Sequence, residues 1–191
     1  MTSSYSSLSA NIRWSSHHSK LGKMSDHSDS ALALSQKSWR ELSTTELYAF
    51  LKLRTDVFFL EQKIDETELD DRDRETGTQH LWLADSKGAV VAYLRVLEDD
   101  EPELRDARLI IGRVVVDPAY RGHGLAQQLL QRVMQRFGGQ PMLLHAQAYI
   151  TPLYSGFGFE PVGEPFLEAG LEHQSMYRAA SGLGFHGESD L

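Results

Sequence analysis

Residues 114–126 read VVVDPAYRGHGLA and place a strand, a turn with two glycines and the start of a helix in direct succession. The strand spans residues 109–117, and an apolar face at helical spacing predicts a helix over residues 125–137. At such a junction the unpaired amides of the first helical turn and the positive end of the helix dipole face one point. The segment therefore predicts an anion site that fits a phosphate.

The two glycines of this turn, Gly122 and Gly124, let the backbone close on a ligand and adopt positive φ. The turn is not a Walker P-loop, because it lacks the Gly-Lys-Ser/Thr ending, and Gln127 stands where a dinucleotide-binding turn has its third glycine. Taken alone, the segment also fits a strand-to-helix turn that needs glycine only for its geometry.

The surrounding pattern predicts one α/β domain. Residues 80–84, 89–97 and 109–117 are predicted to form an antiparallel meander, with Lys87-Gly88 as a hairpin turn. After the helix, the pattern predicts a buried strand over 141–146, a short helix opened by Thr151-Pro152, and a hairpin of 159–167 with 171–177 across Ala169-Gly170.

The first helix is predicted by the capping box Ser43-x-x-Glu46, with a short strand over residues 39–42 before it. Arg54 and Glu61 follow Leu47 by seven and fourteen residues, so both charges are expected on the apolar side of this helix. The acidic stretch 65–75 is expected to be a solvated loop, since it lacks the ligand register and turn glycine of a calcium loop.

With 191 residues, of which 41% are hydrophobic, the chain is long enough for one such domain. Residues 1–37 are rich in Ser and His and are expected to be a disordered tail. The domain is assigned to residues 38–179, and residues 180–191 are expected to form a flexible C-terminal tail.

The composition restricts the functional classes. The absence of cysteine excludes disulfides, thiolate zinc sites and a cysteine nucleophile, and makes the cytoplasm the expected location. A formal net charge of -8 argues against nucleic-acid binding, and no apolar run is long enough to span a membrane. An acidic chain suits cationic partners.

Two motifs in order give the sequence a family resemblance. Residues 114–126 resemble the acetyl-CoA motif of the GNAT superfamily, whose core Gln/Arg-x-x-Gly-x-Gly/Ala is matched by Arg121, Gly124 and Ala126. Residues 153–159 resemble the second signature of the superfamily, Tyr-x-x-x-Gly-Phe, through Tyr154, Gly158 and Phe159.

Further positions are similar to the ElaA-like branch of that superfamily, and the resemblance covers about residues 39–178. The positions are Arg54, Val57, Phe58, Glu61-Gln62, Gly112-Arg113-Val114, Ala146-Gln147-Ala148 and His173.

The resemblance implies a three-layer α-β-α fold of the GNAT type, with a mixed, mostly antiparallel, twisted central sheet flanked by helices. It also implies acetyl-CoA as the co-substrate, without a metal. The backbone of the strand would run beside the pantetheine arm, and the amides of the turn would hold the pyrophosphate. The implied cofactor contacts are Val114, Val115, Val116, Arg121, Gly122, His123, Gly124, Leu125, Ala126, Gln127, Gln147 and Tyr154.

The reaction path and the role of Tyr154 follow from the same resemblance, whereas the candidate bases are chosen from their residue types and positions. An amine would attack the thioester directly in a ternary complex, and Tyr154 matches the general acid that protonates the thiolate of coenzyme A. Glu61 is the first choice for the general base, because burial on the apolar side of its helix would raise its pKa. It could instead bind the positive charge of the substrate or pair with Arg54 or Arg113. His80, His145 and His173 are the other candidate bases.

The implied function is that of an N-acetyltransferase acting on the primary amine of a small molecule or a peptide, and the acidic balance favours a cationic acceptor. The expected substrate contacts are Arg54, Glu61, His80 and Arg113. The alternative function is a non-catalytic, acyl-CoA-binding regulatory protein. A monomer and a homodimer both fit the sequence.

Overall fold

The computed structural model describes residues 31–181, in which eight strands form one mixed sheet. Their order is β1-β2-β3-β4-β5-β8-β6, with β7 pairing β8, and all pairs are antiparallel except β4 with β5. The strands are β1 (Ala33–Ser38), β2 (Gln79–Ala84), β3 (Val90–Glu98), β4 (Leu109–Val116), β5 (Met142–Gln147), β6 (Glu160–Pro161), β7 (Phe166–Glu168) and β8 (Leu171–Arg178). This confirms the predicted mixed and mostly antiparallel sheet.

In this described range, three α-helices accompany the sheet: α1 (Thr44–Arg54), α2 (Leu125–Phe137) and α3 (Thr151–Ser155). A π-helical segment, Thr55–Glu61, continues α1 without a break. Single 3₁₀ turns occupy Trp39–Glu41, Arg72–Arg74, Pro118–Tyr120 and Ala148–Ile150. Within residues 31–181 no helix combines the length and the apolar character that a membrane crossing requires.

The sheet separates two layers of helix. Ala92 and Leu94 of β3 face the core cluster that contains the apolar residues of α2, whereas Tyr93 between them packs with Phe50 of α1 on the opposite face. Alternation along a strand accounts for this division. The three-layer α-β-α arrangement is confirmed.

The capping box at the start of α1 is also confirmed. Ser43 Oγ accepts a hydrogen bond from the Glu46 amide at 3.2 Å, and the Ser43 amide donates to Glu46 Oε2 at 2.9 Å. Lys37 Nζ reaches the same carboxylate at 2.7 Å, which ties the helix start to the end of β1. A local sequence signal thus fixes where the first helix begins.

The predicted strand over residues 39–42 is wrong. The strand lies earlier, at Ala33–Ser38, inside the predicted N-terminal tail, and Trp39–Glu41 forms a 3₁₀ turn. The strand is mostly polar and is held by backbone pairing to β2, with Gln36 opposite Leu81, so composition gave no sign of it. The rest of that tail, residues 1–30, and residues 182–191 lie outside the described residues.

The predicted strand over residues 159–167 is wrong as one element. Two short strands, Glu160–Pro161 and Phe166–Glu168, pair separately with β8. Gly163, with φ of 73°, and Pro165 interrupt the chain between them. The turn at Ala169-Gly170 joins β7 to β8 as predicted.

Candidate active site

The candidate site begins where β4 and β5 separate. The two strands pair only over Leu109–Ile111 and Met142–Leu144, although both continue further. On the other side of β4, Gly112 opposes Arg95 and Val115 opposes Tyr93, so β4 carries a bulge. Arg113 at this bulge has a φ of 54°, which bends the strand away from β5. The divergence leaves a gap in the sheet.

A cavity of about 820 Å³ fills this gap. Gly112, Arg113 and Val114 line it from β4, and the last four residues of β5 line it from the other side. Because β4 and β5 stop pairing there, polar backbone groups of β4 face the cavity and can pair with an extended ligand. Both faces of β5 contribute side chains, so the cavity passes through the sheet.

The glycine-rich turn follows β4 directly and forms a second, smaller concavity of about 160 Å³. Gly122 and Gly124 have φ of 80° and 72°, values that side chains with a Cβ rarely adopt. Gly124 is the N-cap of α2 and supplies no side-chain cap, so the first amides of this helix point into the concavity without intrahelical partners. The arrangement fits an anion, as the sequence predicts.

Tyr154 in α3 lines the larger cavity and is 3% exposed. Its ring packs edge-on against Phe159, with the ring centroids 6.3 Å apart, and both residues belong to the core on the α2 face. Burial, together with nearby Tyr149, raises the pKa of the Tyr154 hydroxyl. A phenol in this setting stays protonated and can serve as a proton donor.

Glu61 does not lie where the sequence predicts. Its carboxylate is exposed and forms a bidentate pair with Arg121 of the glycine-rich turn, with both N–O distances 2.7 Å. The hydrogen bonds from Arg121 lower the pKa of Glu61, the opposite of the predicted rise. The alternative pairs with Arg54 and Arg113 are wrong as well, and Glu61 does not line the larger cavity.

The π-helical segment explains this displacement. Seven residues make almost two α-helical turns. Glu61 would therefore lie on the same helix face as Arg54 if the helix stayed regular. The hydrogen bonds of Thr55–Glu61 instead span five residues, which widens each turn and rotates later side chains around the axis. Arg54, which precedes the wide turn, is buried as predicted.

The stretch 65–75 is not simply a solvated loop, which corrects the prediction. Three of its acidic side chains, Glu68, Asp70 and Asp73, fold against three arginines of the helix and sheet. Arg54 Nη1 and Arg95 Nη1 each lie 2.9 Å from Asp73 Oδ1, and Arg54 also binds Glu68. Buried arginines in apolar elements require such carboxylates. This cluster is called the arginine–carboxylate network: Arg54, Arg95, Arg113, Glu68, Asp70 and Asp73.

Asp70 joins this network to the cavity that it lines. It accepts hydrogen bonds from Arg95, at 2.8 Å from Nη1, and from Arg113, at 3.3 Å from Nη2. Burial alone would raise the pKa of Asp70, but the hydrogen bonds and charges of the two arginines lower it to about 2. Asp70 is therefore an anion that is already neutralised by protein cations.

Two of the predicted substrate contacts are contradicted by burial. Arg54 and His80 both have 0% exposure and do not line the cavity. His80 Nε2 lies 3.0 Å from the Asp73 carbonyl oxygen, and Nδ1 lies 2.7 Å from the Tyr93 hydroxyl, so both ring nitrogens have structural partners. Burial lowers the pKa of His80. Arg113 remains at the cavity wall.

Most of the predicted cofactor residues line one of the two cavities. Val114, Gln147 and Tyr154 line the larger cavity, and most of the rest surround the smaller one: Val116, Arg121, Gly122, Gly124, Leu125, Ala126 and Gln127. Val115 instead packs under α1, and His123 turns its Nδ1 to the Arg121 carbonyl oxygen at 3.0 Å. These two side chains line neither cavity, so a cofactor would reach these residues through their backbone.

Sequence reasoning missed Asp70 and Arg95, which form the wall of the cavity with Arg113. A signal was present, because Arg95 interrupts an apolar strand and must find a carboxylate partner. Gln62 was also missed as a site residue, and it receives a hydrogen bond from Gln147 Nε2 at 3.2 Å. No pattern in the sequence indicates this contact between the π-helical end and β5.

Comparison with known proteins agrees with this geometry. Residues 45–179 match the family described as acetyltransferase (GNAT) domain. The chain is 37% identical over 144 residues to Protein ElaA of Escherichia coli strain K12, covering 72% of this chain and 90% of that protein. It is 37% identical over 143 residues to UPF0039 protein Rv2851c of Mycobacterium tuberculosis, covering 75% of this chain and 90% of that protein.

Solved structures show the same likeness. The fold superposes on an acyl-CoA N-acyltransferase from Pseudomonas aeruginosa with a TM-score of 0.69 and 38% identity, covering 78% of this chain and 100% of that one. The crystal structure of Escherichia coli ElaA gives a TM-score of 0.70 and 33% identity, covering 78% and 99% of the two chains.

Proposed function

This chain belongs to the GNAT acetyltransferase family, and on that premise we propose that it transfers an acetyl group from acetyl-CoA to a primary amine in a ternary complex. One observation carries the proposal. The glycine-rich turn lines the smaller cavity, Val116 and Val114 of β4 line the smaller and the larger cavity, and Tyr154 lines the larger one. This order along β4 gives a candidate path for one extended ligand. That path matches the pyrophosphate, the pantetheine arm and the thioester of the co-substrate in order.

The turn accounts for cofactor affinity. The amides from Gly122 to Gln127 would hold the pyrophosphate, and the helix dipole of α2 adds a favourable field. Arg121 lines the same concavity while Glu61 fixes its guanidinium. Since a guanidinium carries five N–H donors, Arg121 retains donors for a phosphate oxygen beyond those used by Glu61.

The free edge of β4 accounts for the orientation of the thioester. Amides of the pantetheine arm would pair with the backbone of Val114 and Val116 as an added strand does. This places the reactive end of the co-substrate in the larger cavity, beside Tyr154 and Gln147. Holding both reactants in one cavity replaces a bimolecular encounter by an oriented attack.

Tyr154 is proposed as the general acid. When the amine nitrogen bonds to the carbonyl carbon, the carbon–sulfur bond breaks and the thiolate of coenzyme A departs. The Tyr154 hydroxyl, kept protonated by its raised pKa, supplies the proton to that sulfur. Glu61 is not retained as the base, because its carboxylate is paired and lies outside the larger cavity.

The acceptor is proposed to be a cationic amine. Among the described residues, Glu66 and Glu168 line the larger cavity without an ion-pair partner. Glu68 and Asp70, in contrast, are neutralised by the arginine–carboxylate network. The two unpaired carboxylates would attract the ammonium groups of a diamine, a polyamine or a lysine side chain.

The test is a coupled assay for free coenzyme A with acetyl-CoA and a panel of putrescine, spermidine, lysine amide and phenethylamine. Wild-type protein should release coenzyme A with at least one amine and form the acetylated product by mass spectrometry. Tyr154→Phe should lower kcat by about 100-fold with unchanged acetyl-CoA affinity. Binding of acetyl-CoA by calorimetry without product for any amine would support the regulatory alternative instead.

A further inference from the structure

The four histidines in the described part of the chain differ in what their ring nitrogens contact. His80 is buried with both nitrogens engaged, and His123 lies on the glycine-rich turn outside both cavities. His145 lines the larger cavity, but its Nδ1 lies 3.0 Å from Ser175 Oγ and its Nε2 lies 3.3 Å from Glu103 Oε1. His173 also lines this cavity and has a free nitrogen.

The protonation of the His173 ring follows from its hydrogen bond. Nδ1 lies 3.0 Å from the Leu171 carbonyl oxygen, which can only accept, so Nδ1 carries the hydrogen in the neutral ring. The lone pair is then on Nε2. Within residues 31–181 this atom has no partner, and it is not among the buried side-chain atoms that lack one. Nε2 of His173 is therefore accessible as a proton acceptor.

The ring is also held in place. His173 is 8% exposed and stacks on Phe166 of β7, with the ring centroids 5.9 Å apart and the planes inclined by 28°. The hydrogen bond to Leu171 fixes the rotation of the ring, and the aromatic contact fixes its plane. An imidazole with one nitrogen bound by a carbonyl and the other open has the geometry of a general base.

His173 and Tyr154 border the cavity from opposite faces of the sheet. His173 pairs directly with Gln147 across β5 and β8, so the two side chains share one face. Ala146 next to Gln147 faces the other side and belongs to the core that contains Tyr154. A thioester in the gap between β4 and β5 would have the acid on one side and the imidazole on the other.

We propose that His173 is the general base that deprotonates the incoming ammonium, an inference that rests on the proposed acetyl transfer. The ammonium gives one proton to His173 Nε2, and the free amine forms the carbon–nitrogen bond. The nitrogen then loses a second proton, which balances the one that Tyr154 gives to the departing thiolate. The net products are the amide, coenzyme A and one proton released from His173 to solvent.

The charged surroundings of His173 belong to three neighbouring elements. His145, with Glu103 beside it, faces the same cavity from β5, Glu168 faces it from β7, and Arg113 paired with Asp70 faces it from β4. Glu168 would stabilise the imidazolium formed after proton transfer, whereas Arg113 would oppose it. The pairing of Arg113 with Asp70 reduces that opposition.

The test is the pH dependence of kcat at saturating acetyl-CoA and with the panel amine of highest turnover. Wild-type kcat should rise with pH and level off well below the pKa of the amine. His173→Asn keeps a donor for the Leu171 carbonyl oxygen but removes the basic nitrogen. Its kcat should fall about 100-fold near pH 7 and then rise about tenfold per pH unit towards the amine pKa, without the lower inflection.

Two controls separate a chemical role from a structural one. His145→Gln alters the neighbouring cavity histidine and should keep the lower inflection whatever its rate. The pH profile and the melting temperature are measured for both His173→Gln and His173→Asn. The variant whose melting temperature is closer to that of the wild type is used for the conclusion. If the lower inflection persists in that variant, His173 is not the base, and the proposed acetyl transfer is unaffected. Absence of transfer by the wild type with every amine would overturn the proposed function and this inference together, so the two failures are distinguishable.

Discussion

At the scale of single residues, Glu61 and Arg121 form a link between the π-helical segment after α1 and the glycine-rich turn. Arg121 donates two hydrogen bonds of 2.7 Å to the Glu61 carboxylate, and Arg121 Nε also donates to the Val116 carbonyl oxygen at 3.2 Å. A bidentate carboxylate holds a guanidinium in one orientation. Glu61 therefore orients Arg121 on the glycine-rich turn, which we propose as the cofactor site.

Replacing Glu61 by glutamine should weaken coenzyme A binding about threefold, because the exposed pair with Arg121 contributes only ~0.5–1 kcal/mol. The lower inflection of kcat against pH should remain, since we propose His173 and not Glu61 as the base. Calorimetry with coenzyme A and the pH profile check both statements. Asp56→Asn breaks the exposed pair with Lys52 on the same helix and should leave coenzyme A affinity unchanged. A lost inflection in Glu61→Gln would restore the catalytic assignment of Glu61.

At the scale of elements, the decisive unit is β4 with its turn and α2. The bulge at Arg113 opens the sheet, and the glycines then turn the chain so that α2 begins beside the opening. Leu129, Leu130 and Val133 anchor α2 against the sheet with 0% exposure. The first amides of α2, which we propose as the pyrophosphate donors, therefore belong to a helix that is packed closely against the core.

Gly122→Ala tests this unit. An added Cβ meets no atom within 4 Å, so the change costs about 1–2 kcal/mol of stability through its positive φ alone. Coenzyme A affinity should fall by about tenfold, because the backbone can no longer close on the pyrophosphate. Gly88→Ala is the matched control, since Gly88 has φ of 82° and equally open surroundings in the distant β2–β3 turn. It should lose similar stability and no affinity, and equal affinities for both variants would contradict the assigned role of the turn.

At the scale of the whole molecule, the arginine–carboxylate network joins α1, the loop 65–75 and the sheet. Asp73 is 6% exposed and binds Arg54 from the helix and Arg95 from β3. Burial would raise the pKa of Asp73, but these arginines lower it below its ordinary value. The loop that lines the larger cavity is consequently held by ion pairs of which Arg54, Arg95 and Asp73 are almost entirely buried.

The network predicts a loss of stability in acid. A carboxylate whose pKa is lower in the folded than in the unfolded state stabilises the fold fully at a pH above its ordinary pKa of 3.8. This contribution is lost as the pH falls through the pKa in the folded state, which is about 2 for Asp70. The free energy of unfolding should therefore decline between about pH 4 and pH 2. Urea unfolding followed by tryptophan fluorescence measures the decline.

Asp73→Asn should lower the free energy of unfolding at pH 7 by about 3 kcal/mol, because Arg54 and Arg95 lose a buried partner. It should also flatten the acid decline. Asp71→Asn is the control on the same loop, since the Asp71 side chain is 88% exposed, and it should change stability by less than about 0.5 kcal/mol. Equal effects of the two substitutions would contradict a structural role for the buried network.

The sequence by itself determined the parts of this protein that depend on neighbouring residues. Alternation and helical spacing located the central strands and α2, and Ser43 and Glu46 fixed the start of α1. Two glycines next to a helix start indicated the smaller concavity. These features follow from backbone geometry and from hydrogen bonds that span a few residues. The two motifs also identified the family.

Only the tertiary structure decided which distant groups meet. Glu61 and Arg121 are 60 positions apart, and the π-helical turn that brings them together has no sequence signature. The partners of Arg54 and the open nitrogen of His173 depend on how the loop and the β7–β8 hairpin pack on the sheet. Whether a charged side chain is buried, and which group it pairs with, depends on elements that are distant in the sequence. The periodicity of a single segment therefore could not predict these contacts.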